Sequence, residues 1–158
     1  MNSFKNQCVI VTGAATGIGE ACAILLASFG ANVIVMDFNQ AGAEQVVKSI
    51  TKNGGQAQAS ITDLTSWENT KEAIDTIAKN SATGIQAIIH SAGGFPNYVN
   101  LLDCDVNAWD MVINSNLRSM FYLLKAGAPH MMKNHYGRFV SLSSMAARSG
   151  TNLSLIHI

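Results

Sequence analysis

The chain has 158 residues, 48% hydrophobic and 13% charged, a composition that supports one compact domain with a sizeable core and excludes intrinsic disorder. Ten basic and ten acidic residues give zero formal net charge, so no basic stripe exists to neutralise a phosphate backbone and no nucleic-acid partner is expected. No apolar run approaches the roughly 20 residues of a membrane helix, and the first glycine turn comes too early for a signal peptide. A cytoplasmic protein without a membrane partner is expected.

The apolar run from Cys8 to Val11 leads into Thr12-Gly13-Ala14-Ala15-Thr16-Gly17-Ile18-Gly19, and a helix-like run from Glu20 to Phe29 follows. A tight strand-to-helix turn without Cβ atoms lets a backbone approach a pyrophosphate, and the helix behind it offers unpaired N–H groups and a positive dipole end. The spacing T-G-x-x-x-G-x-G lacks the Lys-Ser/Thr of a P-loop, which excludes an NTPase or kinase. Further along, Val33 to Met36 and Ala87 to Ile89 resemble the run at Val9 to Val11: short, continuous and apolar, as strands buried on both faces of a parallel sheet are. Gln56 to Ile61 and Arg138 to Leu142 are weaker strand candidates. Between them Ala43, Val46, Val47 and Ile50 form one helical stripe, with Asn39 as N-cap. Trp67, Ala73, Ile74 and Ile77 form another, opened by the capping-box spacing of Thr65 and Glu68. A longer helix carries Trp109, Val112, Ile113, Leu117, Met120, Phe121 and Leu124. The order β-α-β-α-β-α-β-α-β predicts an α/β, doubly wound parallel sheet, whose ligands bind beyond the carboxyl ends of the strands. No repeats or linkers divide it. The aperiodic stretch from Gly93 to Cys104 follows a strand end and suits a cleft rim.

Several residues at those carboxyl ends carry chemistry. Asp37 closes the second strand about 20 residues after the glycine turn, where a carboxylate accepts hydrogen bonds from an adenosine ribose. It would repel a 2′-phosphate, and neither Thr16 nor Phe38 and Asn39 supplies a cation, so NAD is expected over NADP. Asp63 and Leu64 are placed to meet an adenine edge, although an Asp there is equally ordinary turn chemistry. The run His90-Ser91-Ala92-Gly93-Gly94 is small enough for a flat ring or ribose to lie on its backbone, with His90 read as a hydrogen-bonded core residue rather than a catalyst. Asn116 falls near a buried helical face and needs partners, either neighbouring backbone or a water in a proton path. Ser141-Leu142-Ser143-Ser144 could point a hydroxyl at a substrate carbonyl or simply cap a turn. No G-x-S-x-G elbow or His/acid pair makes these serines hydrolytic. Cys8, Cys22 and Cys104 lack metal-ligand or C-x-x-C spacing and read as reduced, buried thiols, and no metal is expected.

Taken together, T-G-A-A-T-G-I-G, Asp37, Asp63-Leu64, H-S-A-G-G, N-S-N-L-R-S and G-R-F-V-S-L-S-S resemble the short-chain dehydrogenase/reductase family from about Asn6 to Asn152. Within it, the chain is most similar to the branch of 3-oxoacyl-carrier-protein reductases and secondary alcohol dehydrogenases. The resemblance implies a Rossmann-type fold and hydride exchange between NAD and a small alcohol or ketone. It implies pyrophosphate contacts at Gly13, Thr16, Gly17, Ile18 and Gly19, and ribose contact at Asp37. Asp63, Leu64, Ala92 and Gly93 would line the nucleotide, Asn116 would relay protons, and Ser144 would orient the substrate oxygen. The family forms dimers or tetramers through the long helix, where Ala126, Gly127, Ala128, Met131 and Met132 suit close packing, although the same residues suit an ordinary core. Ser91 stands where the family has Asn. The Tyr-x-x-x-Lys pair of the family, the general acid/base and its partner, has no counterpart: Tyr should fall at His157. Residues 153–158 resemble the in-frame translation of a transposon-derived sequencing adapter. The expectation is therefore residues 1–152 of a single dinucleotide-binding domain, five of the family's seven strands, followed by a non-native tail. Such a fragment is expected to be poorly soluble and without turnover. The alternative is a non-catalytic dinucleotide-binding or interaction protein.

Overall fold

A computed structural model describes residues 4–94 and 101–144. Five strands form one parallel sheet: β1 (Cys8–Thr12), β2 (Asn32–Asp37), β3 (Gln56–Ile61), β4 (Ile85–His90) and β5 (Arg138–Ser141), in the spatial order β3-β2-β1-β4-β5. The order reverses at β1, whose neighbours are β2 on one side and β4 on the other. Strand polarity then places every strand's carboxyl end on a single edge of the sheet, and the reversal opens a crevice there.

Alternation along β1 divides the core into two layers. Cys8 and Ile10 face one layer with Ile34, Met36, Ile85 and Ile88, closed by Ile74 and Ile77 of α3 (Trp67–Asn80) and by Leu123 and Ala126 of α5 (Ser119–Lys133). Val9 and Val11 face the other with Val33 and Val35, closed by Ala23 and Ala27 of α1 (Gly17–Ser28) and by Ala43, Val46 and Ile50 of α2 (Gln40–Lys52). The sheet centre is dry: Ile10, Val11, Val33 and Val35 are fully buried. Among the described residues β5 is an edge strand, with Val140 half exposed and its outer side unpaired.

The strand expectations hold, to within a residue or two at their ends, and Asn39 caps α2 by accepting the N–H of Gly42 at 3.1 Å. The cap of α3 is Ser66, not Thr65. Ser66 Oγ accepts the N–H of Asn69, while the Thr65 hydroxyl turns back to donate to Asp63. The long helix also differs from its sequence pattern. It runs as α4 (Val106–Val112), a π-helical turn (Ile113–Arg118) and α5. The extra residue of the π turn shifts the helical phase, so the buried face passes through Val112, Ser119, Leu123, Ala126 and Gly127, leaving Leu117 and Phe121 half exposed. Pro129 sits within α5 without ending it. Nor are Ala126 and Gly127 free for an interface. Ala126 belongs to the core, and a Cβ on Gly127 would stand 2.5 Å from Ile88 Cδ1. Cys8 is buried, with burial pushing its thiol pKa up, whereas Cys22 and Cys104 are only half-buried.

Candidate nucleotide site

The turn from Thr12 to Gly19 leaves β1 at the crevice. Gly13 has φ +61° and packs so tightly on β4's end that a Cβ would stand 2.8 Å from Ala92 Cα, so no side chain fits. Gly19 is crowded from the other side by the Gly13 carbonyl. Gly17 differs: with φ +60°, a Cβ there would meet nothing within 4 Å, because this glycine faces open space.

Behind Gly17 lies the N-terminus of α1, and its cap is unlike those of the neighbouring helices. Asn39, Ser66 and Asp105 each accept a backbone N–H from the helix they open, but the side chain of Thr16 makes no such bond. The first-turn donors of α1 are left for a ligand or water, with the positive end of the helix dipole behind them. Thr16, Gly17 and Ile18 are exposed around this opening, Ile18 at 63%.

Asp37, 8% exposed, closes β2 beside the turn. Its Oδ2 accepts the N–H of Ala15 at 3.0 Å and its Oδ1 that of Asn39 at 2.9 Å. The carboxylate therefore fixes the glycine turn and the approach to α2 as well as bringing negative charge to the crevice, and each oxygen keeps acceptor capacity. At the end of β3, Asp63 Oδ1 accepts from the N–H and hydroxyl of Thr65, and Leu64 is buried against the α3 layer. The Leu64 side chain is thus a core group, which leaves only its backbone for a ligand.

Across the crevice, Asn116 lies in the π turn and clamps the loop that leaves β4. Its Nδ2 donates to Gly94 O at 2.7 Å and Val112 O at 2.9 Å, and its Oδ1 accepts the N–H of Gly94 at 3.2 Å. Backbone groups satisfy this amide. Gly93 presses on Asn116 Oδ1 so closely that a Cβ there would collide with it. Ser144 stands exposed three residues beyond β5, on the same sheet edge.

Two side chains carry contacts that the sequence pattern did not assign. Thr12, fully buried, holds the ends of β1 and β4 together: its Oγ1 accepts the N–H of Ser91 at 3.3 Å and of Ala92 at 3.2 Å. The glycine motif contains Thr12, but nothing in the spacing says what its hydroxyl does. The other is His90, whose ring nitrogens meet Ser119 Oγ at 3.0 Å and Ser141 Oγ at 3.1 Å. Burial pushes the pKa of His90 down, which favours the neutral ring. Among the described residues no group of His, Cys, Asp and Glu is arranged to hold a metal ion, and no helix is long and apolar enough to cross a membrane.

A sheet reversing at β1, with a glycine turn and an uncapped helix at the reversal, defines the doubly wound, Rossmann-type class of α/β proteins. Residues 7–155 match the short chain dehydrogenase family, and the chain belongs to it. It is 34% identical over 149 residues to the uncharacterized oxidoreductase YxbG of Bacillus subtilis, covering 94% of this chain and 54% of that protein. It is 35% identical over 146 residues to the 7alpha-hydroxysteroid dehydrogenase of Escherichia coli K12, and 30% identical over 149 to a cyclohexanol dehydrogenase of Acinetobacter; it covers 56% and 59% of these. Among solved structures, a 7 alpha-hydroxysteroid dehydrogenase complexed with NADH and 7-oxo glycochenodeoxycholic acid superposes with TM-score 0.89 at 32% identity, over 98% of this chain and 59% of that one. An NAD+-bound xylitol dehydrogenase superposes with TM-score 0.92 at 27% identity, over 98% and 59%. The chain thus spans little more than half the length of these relatives.

Proposed function

We propose that this chain is the nucleotide-holding part of an NAD-dependent short-chain oxidoreductase that interconverts a secondary alcohol and a ketone. The observation that carries the reading is the opening of α1: unclaimed first-turn donors behind Gly17, in open space, on a turn whose other glycines are packed against backbone. That cradle suits a pyrophosphate. Bound there, NAD would supply the hydride acceptor. Gly13, Thr16, Gly17, Ile18 and Gly19 would hold the phosphates, Asp37 the adenosine ribose, Asp63 and the Leu64 backbone the adenine edge, and Ala92 and Gly93 the far side of the nucleotide. The Asp37 carboxylate favours NAD over NADP, since a 2′-phosphate would meet it without a compensating cation.

For the reaction itself, Ser144 would donate to the substrate oxygen, and Asn116 would hold a proton path at the Gly94 carbonyl it already contacts. The family's Tyr-x-x-x-Lys pair, which would move the proton, has no counterpart in the 158 residues. A secondary-alcohol substrate is supported by the names of the relatives, which describe dehydrogenases of cyclohexanol and of a steroid hydroxyl. The resemblance of its motifs supports a parent close to the branch of 3-oxoacyl-carrier-protein reductases and secondary alcohol dehydrogenases, which would work as a cytoplasmic dimer or tetramer. Titration of the 158-residue protein with NADH, followed by nicotinamide fluorescence, should show saturable binding that Gly19→Ala abolishes, because a Cβ at that position collides with Gly13 O. The same protein should not reduce NAD+ in the presence of cyclohexanol. A folded wild-type chain that fails to bind NADH would remove the reading, and steady turnover would remove the assignment of the missing acid/base.

A further inference from the structure

The structure assigns to His90 the task of a positioning residue: it ties the strand end that leads to Ser144 to the helical turn that carries Asn116. Three elements meet at its ring. His90 ends β4, Ser141 ends β5, and Ser119 opens α5 just after the π turn. Both ring nitrogens are engaged, at 3.1 Å by Ser141 Oγ and at 3.0 Å by Ser119 Oγ. Ser119 is fully buried and His90 is 4% exposed, so water does not compete for the Ser119 bond, whereas the Ser141 bond lies at the exposed end of β5.

The donor and acceptor at each contact follow from counting protons. Ser119 has one hydroxyl hydrogen, and it points at Ser115 O, 2.6 Å away within the π turn. Its oxygen can then only accept from the ring, so Nε2 of His90 carries the proton. Nδ1 is left with a lone pair, and the Ser141 hydroxyl must donate to it. A directional chain results, from Ser141 O–H through His90 to Ser119 and on to the Ser115 carbonyl, one residue before Asn116. The His90 carbonyl adds a second tie to the same strand end by accepting the N–H of Leu142 at 3.0 Å. Asn116 in turn grips Gly94, four residues past His90, so the network closes on itself through the loop after β4. A ring that only filled space would need neither serine. An aliphatic side chain would fill the volume and leave Ser119 and Ser141 without a ring partner.

This inference rests on the proposed roles of Ser144 and Asn116 for its bearing on the reaction, but its test needs no nucleotide. In the full 158-residue protein, long-range ¹H–¹⁵N spectra of the His90 ring should show a neutral imidazole protonated at Nε2, with Nδ1 accepting. Ser141→Ala removes one hydroxyl from a strand end and should still fold. It should shift the side-chain amide signal of Asn116, to which it connects through His90 and Ser119, and Ser119→Ala should shift the Leu142 amide in the reverse direction along the chain. Protonation at Nδ1, or an Asn116 amide unmoved by Ser141→Ala, would overturn the assignment. His90→Gln, which keeps one donor and one acceptor, should restore more of the Asn116 signal than His90→Leu. NADH binding is measured separately, so a chain that lacks it yet shows the ring chemistry refutes the proposed function and leaves the His90 network standing.

Discussion

Asp37 shows how one side chain can serve both fold and site. Its two oxygens hold the backbone N–H groups of Ala15 and Asn39, and the same carboxylate is the negative charge that a 2′-phosphate would meet. Removing it leaves a buried donor unpaired, at a cost of about 1–3 kcal/mol. Asp37→Ala should therefore lower stability by about that amount in urea unfolding, weaken NADH binding about tenfold, and narrow the preference for NADH over NADPH. A variant that binds NADH less well but keeps the same preference would separate the structural task from the selective one and remove Asp37 from cofactor choice. Thr12 has no such double meaning. Its hydroxyl is spent on the two strand-end amides, Ser91 and Ala92.

Among the elements, strands were the most legible in the sequence, because continuous apolar runs such as Val33 to Met36 suit only a doubly covered sheet. Helix starts were less so. Thr65 and Ser66 are adjacent hydroxyl residues with the same chemistry, and the choice between them turned on Asp63, which captures the Thr65 hydroxyl and leaves Ser66 to cap α3. Ser66→Ala should cost about 1 kcal/mol of stability as a lost N-cap. Thermal unfolding monitored by circular dichroism would check it, and an unchanged midpoint would show that the cap bond contributes nothing. The π turn was the least legible feature. An apolar stripe at 3.6-residue spacing assumes an unbroken helix, and the extra residue near Asn116 breaks that phase, which is why Leu117 and Phe121 come out on the solvent side. In the candidate site, the positions of the glycine turn after β1 and of Asp37 at the end of β2 could be read from spacing because both are local in the chain. The contacts of Thr12, His90 and Asn116 could not, since each joins residues far apart in the chain.

At the scale of the molecule, the two shifted groups that titrate below neutral pH, His90 and Asp75, act in one direction. Burial holds the pKa of His90 below its ordinary 6.5, so below that pH the unfolded chain takes up a proton that the folded chain refuses. Asp75, on the surface of α3, is held below its ordinary 3.8 by hydrogen bonds from Lys71 and His130; its contribution is present above that pH and fades as acid protonates it. Stability should be level from pH 8 to about 7 and fall from pH 6.5 downward, with a smaller further loss below pH 4. Urea midpoints across that range would test the order, and a profile that rose on acidification to pH 5 would contradict the buried neutral ring.

The position of β1 in the sheet also has a kinetic consequence. Its first neighbour, β2, follows in sequence after one helix, but its second, β4, begins only at Ile85. During synthesis at about 5–20 residues per second, the most apolar strand of the protein therefore waits several seconds with one hydrogen-bonding edge open. The β1-β2-β3 half, whose contacts are local, can form early, while closure of β4 and then β5 carries the cost of long-range loop closure. The candidate nucleotide crevice at the β1/β4 boundary is thus the seam where an early-folding half meets a late one.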